Sequence, residues 1–367
     1  MKEKIKVGIL FGGKSAEHEI SIMSAKNIIA AIDKDKYQVF LIGITKKGKW
    51  GIGKSAEIML EGGSVSKQDD ISERDMLALV PGESGSKIVS LADGEITSGV
   101  DVIFPVLHGP MGEDGTVQGL LKLAGIPFVG SGVLGSAVGM DKDVMKRLFR
   151  DSGIPIGNFR VILNNEKDNV AFDEIVEELG LPLFIKPANM GSSVGVHKVG
   201  NKEEFDAAIK DAFNFDSKVV VEEFIKGREI ECAVLGNENP IASVPGEIKT
   251  GHDFYSYDAK YIDESGAVLS IPANVSVEIK EKIRELAIRS FKCLCCEGLA
   301  RVDSFLKDDG TIIVNEVNTI PGFTSISMYP MLFKESGIPY PELIDRLLQL
   351  AIERHSKEKM LKTDYSK

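Results

Sequence analysis

Three short apolar runs, "VGILF" (7–11), "YQVFLIGI" (37–44) and "VDVIFPV" (100–106), punctuate the first third of the chain. Between the first two lie "GGKSAEHEIS" and a stretch with Ile22, Ala25, Ile29 and Ile32 at helical spacing, which Ser15 is placed to cap. After the third come "GTVQGLLKLAG" (115–125) and a further apolar stretch, "IPFVGSG" (126–132). Oily strands joined through helices form a parallel sheet covered by those helices. Open sheets of this kind bind ligands beyond the carboxyl ends of their strands, here Gly12-Gly13 and His108-Gly109. Residues 53–98 have weak periodicity and read as an elaboration of this region.

After about residue 131 the pattern changes. "MDKDVMKRLFRDSGIP" predicts a helix that stops at Gly153, with Pro155 beyond it. "LPLFIKPANMGSSVGVHKV" reads as strand, glycine-rich turn, strand. "KVVVEEFIKGREIECAVLG" predicts two strands about a turn at Gly227, and "GLARVDSFLKDDGTIIVNEVN" a hairpin. This part is therefore α+β with mainly antiparallel pairs. At 367 residues the chain exceeds what one core usually serves, so two or three domains are expected.

Bulk properties exclude several classes. A net charge of −11 and a pI near 5.2 argue against a nucleic-acid partner. No apolar run approaches the length of a membrane span, and the opening "MKEKIKVGILFGGK" reads as a first strand rather than a signal peptide. Four cysteines make no disulfide framework at this length and fit a reducing cytosol. Three of them, in "CLCCEG", have no histidine nearby and read as core cysteines on a helix rather than a zinc site.

The chemistry concentrates near "NEVNTIPGFTS" (315–325). Strand alternation puts Ile312, Val314, Glu316 and Asn318 on one face, which turns from oily to oxygen-rich. With "KDDG" (307–310) as the hairpin turn and Leu306 facing Thr311, Arg301 falls opposite Glu316 and Asp303 opposite Val314. Asp303 then lies diagonal to Glu316, roughly 7–8 Å away. Asp303, Glu316 and Asn318 could hold one or two Mg2+ ions, which take oxygen ligands. A cross-strand Arg301–Glu316 salt bridge on a solvated face explains the same residues.

A phosphate site needs cations and N–H donors. The chain has neither GxxxxGK[ST] nor GxGxxG. Its candidate is "KPANMGSSVG", where Lys186 ends an apolar strand and Gly191, Ser192, Ser193 and Gly195 form a donor-rich turn. Such a turn can equally be structural. Lys142 reads by itself as a solvated helix lysine. "PGEIKTGHDFYSYDAKYID" (245–263) is a long aperiodic segment rich in tyrosine, either a lid or an aromatic satellite cluster.

Taken in order, "GGKSAEHEIS" (12–21), "HGPMGEDG" (108–115), "KPANMGSSVGV" (186–196), "FYSYDAKY" (254–261), "ARVD" (300–303) and "NEVNTIPGFTSISMYP" (315–330) resemble the D-alanine–D-alanine ligases of the ATP-grasp superfamily. The resemblance implies a three-domain architecture: an N-terminal parallel α/β substrate-binding domain (1–130) and two α+β domains, 131–226 and 227–367, with ATP between them. It implies Mg2+, replaceable by Mn2+, on Asp303, Glu316 and Asn318. It places Lys142, Lys186, Ser193 and the lid residue Lys260 on ATP phosphates, Glu222, Phe224 and Ile225 around adenine, and Glu229 on ribose. Glu17, Ser192 and Tyr261 resemble a hydrogen-bonded trio tying lid to site, with Glu17 near the first amino acid's ammonium. Arg301 and the Gly322 backbone resemble an oxyanion site, Ser327 and Met328 contacts to the second amino acid's carboxylate, and His108 a neighbour of the first substrate. The implied activity joins two D-alanines through an acyl phosphate for peptidoglycan synthesis, in a cytoplasmic homodimer with no nucleic-acid or membrane partner. A D-alanine–D-lactate ligase and a non-catalytic nucleotide-binding regulator are the rival readings. The lid sequence with Tyr261 disfavours the first, and the presence of Asp303, Glu316, Asn318 and Arg301 the second.

Overall fold

The first strand, β1 (Ile5–Gly12), buries Val7, Ile9, Leu10 and Phe11 completely. A strand apolar on both faces belongs inside a covered sheet, and the computed structural model places it there. The structure describes residues 3–62, 71–80, 87–91, 96–97, 99–167, 170–250, 267–362 and 365. β1 pairs in parallel with β2 (Tyr37–Ile44), whose far edge carries β3 (Trp50–Gly51) antiparallel. The elaboration that follows forms a small antiparallel sheet of β4 (Leu77–Val80), β5 (Lys87–Ser90) and β6 (Ile96–Thr97). The chain then returns as β7 (Val102–Val106), parallel to β1 on its other side. Gly12 ends β1 at φ +91°, and a Cβ there would meet the Ile44 carbonyl at 2.2 Å, so only glycine lets the chain turn so close to its neighbour.

Helices α1 (His18–Ala31), α2 (Gly53–Glu61) and α3 (Thr116–Leu123) accompany this sheet. α1 begins later than Ser15 suggested. Glu17 occupies its cap position, and the Ser15 hydroxyl instead accepts the Glu17 N–H at 3.1 Å. Ile22, Ala25 and Ile32 of its stripe are buried, but Ile28 goes deeper than Ile29.

α4 (Val133–Met140) and α5 (Lys142–Asp151) lead into an all-antiparallel second sheet. It is built from β8 (Phe159–Leu163), β9 (Leu183–Pro187), β10 (His197–Val199) and β11 (Lys218–Glu223), in the order β10-β9-β11-β8. α6 (Phe172–Leu179) and α7 (Lys202–Ala212) supply Ile175, Leu179, Phe205 and Ile209 to the core it shares with Leu183, Ile185, Val219 and Val221.

The third sheet runs β15-β14-β12-β16-β17, with β13 on the side of β12. Its strands are β12 (Arg228–Gly236), β13 (Ile241–Ala242), β14 (Gly246–Thr250), β15 (Ala267–Ser270), β16 (Gly298–Leu306) and β17 (Ile312–Asn318). β11 and β12 are consecutive in sequence but belong to different sheets, so Gly227 marks a crossing, not a hairpin. One face of the third sheet (Ile230, Cys232, Val234, Ala300, Val302) packs with α8 (Val277–Cys293) and α5. The other begins apolar, with Ala233, Leu235 and Leu299 in a core shared with α9 (Met328–Glu335), α10 (Tyr340–Lys359) and the first sheet. Further along, that second face turns polar.

The cysteines divide differently from the expectation. Only Cys293 is helical; Cys295 is exposed beyond the helix end at φ +54°, Cys296 is buried after it, and all four thiols are free. Among the described residues no helix is long and apolar enough to cross a membrane.

Candidate active site

The polar end of the third sheet is organised by register. Leu306 pairs with Ile312, not Thr311, while the Lys307 N–H reaches the Thr311 carbonyl at 2.9 Å to close the turn. Between the Asp303–Glu316 and Ser304–Val314 pairs the register shifts by one, leaving Asn315 as the extra residue of a β-bulge. The expected alternation therefore fails at Asn315. Ile312, Val314 and Val317 face the α8 core, whereas Glu316 and Asn318 point to the opposite face. Asp303 lies directly opposite Glu316, and Arg301 opposite Asn318. Without the bulge, Asp303 would face Asn315. The strand defect is what puts two carboxylates side by side.

Arg301 is the charge that makes this tolerable. Its Nε and Nη2 donate to the two oxygens of Asp303, each at 2.7 Å, and Nε lies 3.0 Å from a Glu231 oxygen. The rival reading, a cross-strand Arg301–Glu316 salt bridge on a solvated face, fails on register: Arg301 lies opposite Asn318 and pairs with Asp303 and Glu231. Burial opposes the charge on Arg301, but Asp303 and Glu231 outweigh it and drive its pKa well above the usual value. Asn318 donates its amide to Asp303 at 2.9 Å. Among the described residues no three His, Cys, Asp or Glu side chains form a ready-made metal cage. Two carboxylates and an amide are nonetheless the oxygen set of an ion that keeps waters and substrate phosphates, as Mg2+ does. The donors fit that ion.

Opposite stands a wall of lysines. Asp141 caps α5 by accepting the Val144 N–H at 3.0 Å, which fixes Lys142 at the helix start. Lys142 Nζ donates to the Met190 carbonyl at 2.6 Å and lies 3.7 Å from Glu316. Lys186 and Lys146 share one carboxylate, Glu222, at 2.7 and 3.2 Å. Burial pushes Lys146 down and works against the Glu222 charge, yet the two cations hold Glu222 below the ordinary carboxylate range. Beside them Phe224 stacks on Phe184 at 6.1 Å, with Lys198 Nζ 5.0 Å from the Phe224 ring. Ile225 packs close to Gly157. Glu229 sits on β12 between Ile248 and Phe305, two residues before Glu231 and so on the same face.

The glycine-rich turn closes the gap between sheets. Ser192 and Ser193 adopt φ +49° and +59°, a left-handed pair that costs energy in any residue with a Cβ. What holds Ser192 there is a hydrogen bond from its hydroxyl to Glu17, across from the first sheet. A small cavity of about 20 Å³ opens between Lys142, Gly191, Glu316, Asn318, Thr319 and Glu113.

The carboxyl end of β7 reaches the same place. His108 is buried, and its Nδ1 lies 3.0 Å from the Ile320 carbonyl. A carbonyl only accepts, so Nδ1 carries the proton. Burial lowers the His108 pKa, and Nε2 meets no partner among the described residues. Glu113 accepts the N–H groups of Gly109 (2.7 Å) and Ile320 (3.2 Å). Burial and the charge of Glu17 push its carboxyl up to about 8. Ile320 is thus held through both its N–H and its carbonyl, two residues beyond the end of the carboxylate strand. Next to it, a Cβ on Gly322 would meet the Ser327 hydroxyl at 2.8 Å. Ser327 accepts the Thr324 N–H at 2.9 Å and precedes α9. The Met328 side chain is buried, so this residue can offer only its backbone N–H, in a first helical turn whose donors lack intrahelical partners.

The structure thus brings Glu17, His108, Lys142, Lys186, Ser192, Arg301, Asp303, Glu316, Asn318 and Gly322 to one cleft; Lys260 and Tyr261 lie outside the described residues. Three residues at the cleft escaped the sequence reading. Lys146 follows Lys142 by one helical turn, Glu113 lies within "HGPMGEDG", and Glu231 follows Glu229 by one strand repeat.

Family models described as D-ala D-ala ligase N-terminus and C-terminus match residues 6–131 and 148–349. A D-alanine–D-alanine ligase of Oceanobacillus iheyensis is 55% identical over 363 residues, 99% of each chain. Among solved structures, a D-alanine–D-alanine ligase from Coxiella burnetii aligns with a TM-score of 0.85 at 38% identity, covering 98% of this chain and 97% of that one. A D-Ala:D-Ser ligase from Enterococcus faecalis aligns with a TM-score of 0.82 at 38% identity, over 95% and 100%. Likeness along the whole chain gives the molecule the ATP-grasp fold. It belongs to the D-alanine–D-alanine ligase family.

Proposed function

We infer that this protein is an ATP-dependent ligase that joins two D-alanines into D-alanyl-D-alanine for peptidoglycan precursors. The observation that carries the mechanism is the direct pairing of Asp303 with Glu316 across from Lys142 and Lys186. A carboxylate is a poor electrophile, and transfer of the ATP γ-phosphoryl onto it makes a reactive acyl phosphate. That transfer is mostly positioning and charge neutralisation. Lys142 and Lys186, held in wait by Glu316 and Glu222, turn to the phosphates. Ser193 offers further donors in the turn, and Phe224, Ile225 and Glu229 line the nucleotide's other end. Asp303, Glu316 and Asn318 would hold Mg2+, which would supply positive charge against the phosphoryl oxygens.

The amino acids lie against the first sheet. Glu17 takes the ammonium of the first D-alanine, beside His108. Ser327 and the Met328 N–H take the carboxylate of the second. When its amine, freed of the ammonium proton, attacks the acyl phosphate, Arg301 and the Gly322 N–H receive the oxyanion, whose collapse breaks the acyl C–O bond and expels phosphate. Closing the site over these groups matters because water hydrolyses an acyl phosphate. Lys260 and Tyr261 are assigned that task, and Ser192 donates its hydroxyl to Glu17 across the cleft.

We further propose a division near residues 130 and 226, a homodimer, and a cytoplasmic reaction, in keeping with four free thiols and a need for ATP. Purified protein supplied with ATP, Mg2+ and D-alanine is expected to release phosphate in step with dipeptide. Phosphate without dipeptide would defeat the assignment, and competition with D-lactate or D-serine at neutral pH reports the second substrate.

A further inference from the structure

We infer that Glu231 is a positioning residue for catalysis: it keeps Arg301 oriented and charge-balanced when Asp303 turns to the metal. This rests on reading Asp303 as a metal ligand and Arg301 as the oxyanion donor.

Gly246, Glu231, Asp303 and Glu316 form one register row across β14, β12, β16 and β17. Three carboxylates thus stand abreast on neighbouring strands, with Arg301 one pair along, between Ala233 and Asn318. Asp303 is oversubscribed. Its Oδ1 accepts Arg301 Nε at 2.7 Å, and its Oδ2 accepts both Arg301 Nη2 at 2.7 Å and Asn318 Nδ2 at 2.9 Å. An ion that takes a carboxylate oxygen at about 2.1 Å displaces donors from it. Arg301 would then face a divalent cation having lost its main counter-ion, in a place where only 19% of its side chain is exposed. A buried guanidinium without an acid partner is strongly disfavoured.

Glu231 answers this. Its oxygen lies 3.0 Å from Arg301 Nε, its side chain is 8% exposed, and it stands on the opposite side of the Asp303 strand from Glu316. Nε is the inner nitrogen of the guanidinium. In this structure its single N–H is donated to Asp303; once Asp303 turns to the metal, that N–H can pass to Glu231, leaving the terminal nitrogens to reach the oxyanion. Asp303 serves the metal, Glu231 serves the arginine, and the row needs both.

The test uses Glu231→Gln and Glu231→Ala in the full chain, alone and with Arg301→Ala. We expect kcat to fall about tenfold in E231Q and about a hundredfold in E231A, with KM for ATP within about twofold. In the Arg301→Ala background the second substitution should change kcat less than about twofold, because its effect passes through the arginine. Calorimetry of Mg2+ binding to the ADP complex should show about tenfold weaker affinity in E231Q, where Arg301 holds Asp303 back. If E231A does not give a cooperative melt, the near-isosteric E231Q decides. Wild-type kcat and Mg2+ affinity in E231Q, or full additivity with Arg301→Ala, overturn the inference alone. Wild-type protein whose ADP binding ignores Mg2+ overturns the parent reading, and the inference with it.

Discussion

The second and third sheets present opposite charges to one cleft, and they hold them by different means. On the third sheet, Asp303, Glu316 and Asn318 are placed by strand register, with a bulge at Asn315 setting which face they take. Facing them, Lys186 is placed by a strand of the second sheet but Lys142 and Lys146 by α5, and counter-ions restrain all three. The acids need a rigid ladder because a metal tolerates little error in ligand position. The lysines need only be near, since a flexible ammonium can follow a phosphate. One wall is exact by backbone, the other adaptable by side chain.

Substitutions can break or sharpen that contrast. The largest effect should come from the rigid wall: Glu316→Ala is expected to reduce dipeptide formation on the order of a thousandfold, several kcal/mol of lost transition-state stabilisation. Its melting temperature should stay close to wild type, because Glu316 is not in a core. Activity near wild type would remove the metal-ligand reading. On the adaptable wall the main cost should fall on folding. Lys146→Met leaves Glu222 with one cation in a buried place, so a loss of about 3 kcal/mol in denaturant unfolding is expected. An unchanged midpoint would mean that Lys186 suffices.

A smaller effect tests the tie between turn and first sheet. Ser192→Ala removes a hydroxyl bonded to a carboxylate, and about 2 kcal/mol is expected in kcat/KM, with little change in global stability. The last concerns Glu113 and is read as a slope against pH. Its folded pKa of about 8 lies above the unfolded value near 4.5, so the native state binds the extra proton between them. Stability should therefore fall as pH rises through that window, by about 1 kcal/mol per pH unit. The slope should flatten in Glu113→Gln, and identical slopes in the two proteins would show that Glu113 is ionised throughout.

Much of the architecture was legible because periodicity reports burial directly. The parallel strands Ile5–Gly12, Tyr37–Ile44 and Val102–Val106 carry nearly continuous apolar runs, which belong inside a covered sheet. The helix stop at Gly153, φ +64°, was likewise written in local chemistry. Register was not. The Leu306–Thr311 pairing misses by one residue at the turn and by two beyond Asn315, and the second error restores Asp303 and Glu316 to a common face. Lys146, Glu113 and Glu231 were overlooked for a shared reason. Each reads as a surface charge, and burial became visible only once its partner arrived from another element.

From its residues alone, this protein was bound to form a parallel α/β region followed by an α+β region of mainly antiparallel pairs, and to carry oxygen donors, lysines and a donor-rich turn in a recognisable order. Those properties follow from local propensity and side-chain type, which need no knowledge of distant contacts. Which carboxylate faces which, which lysine is buried and which acid holds the arginine were decided by the folded structure. A one-residue bulge and a shared counter-ion are properties of pairs, and pairs form only when chain segments far apart in sequence come together.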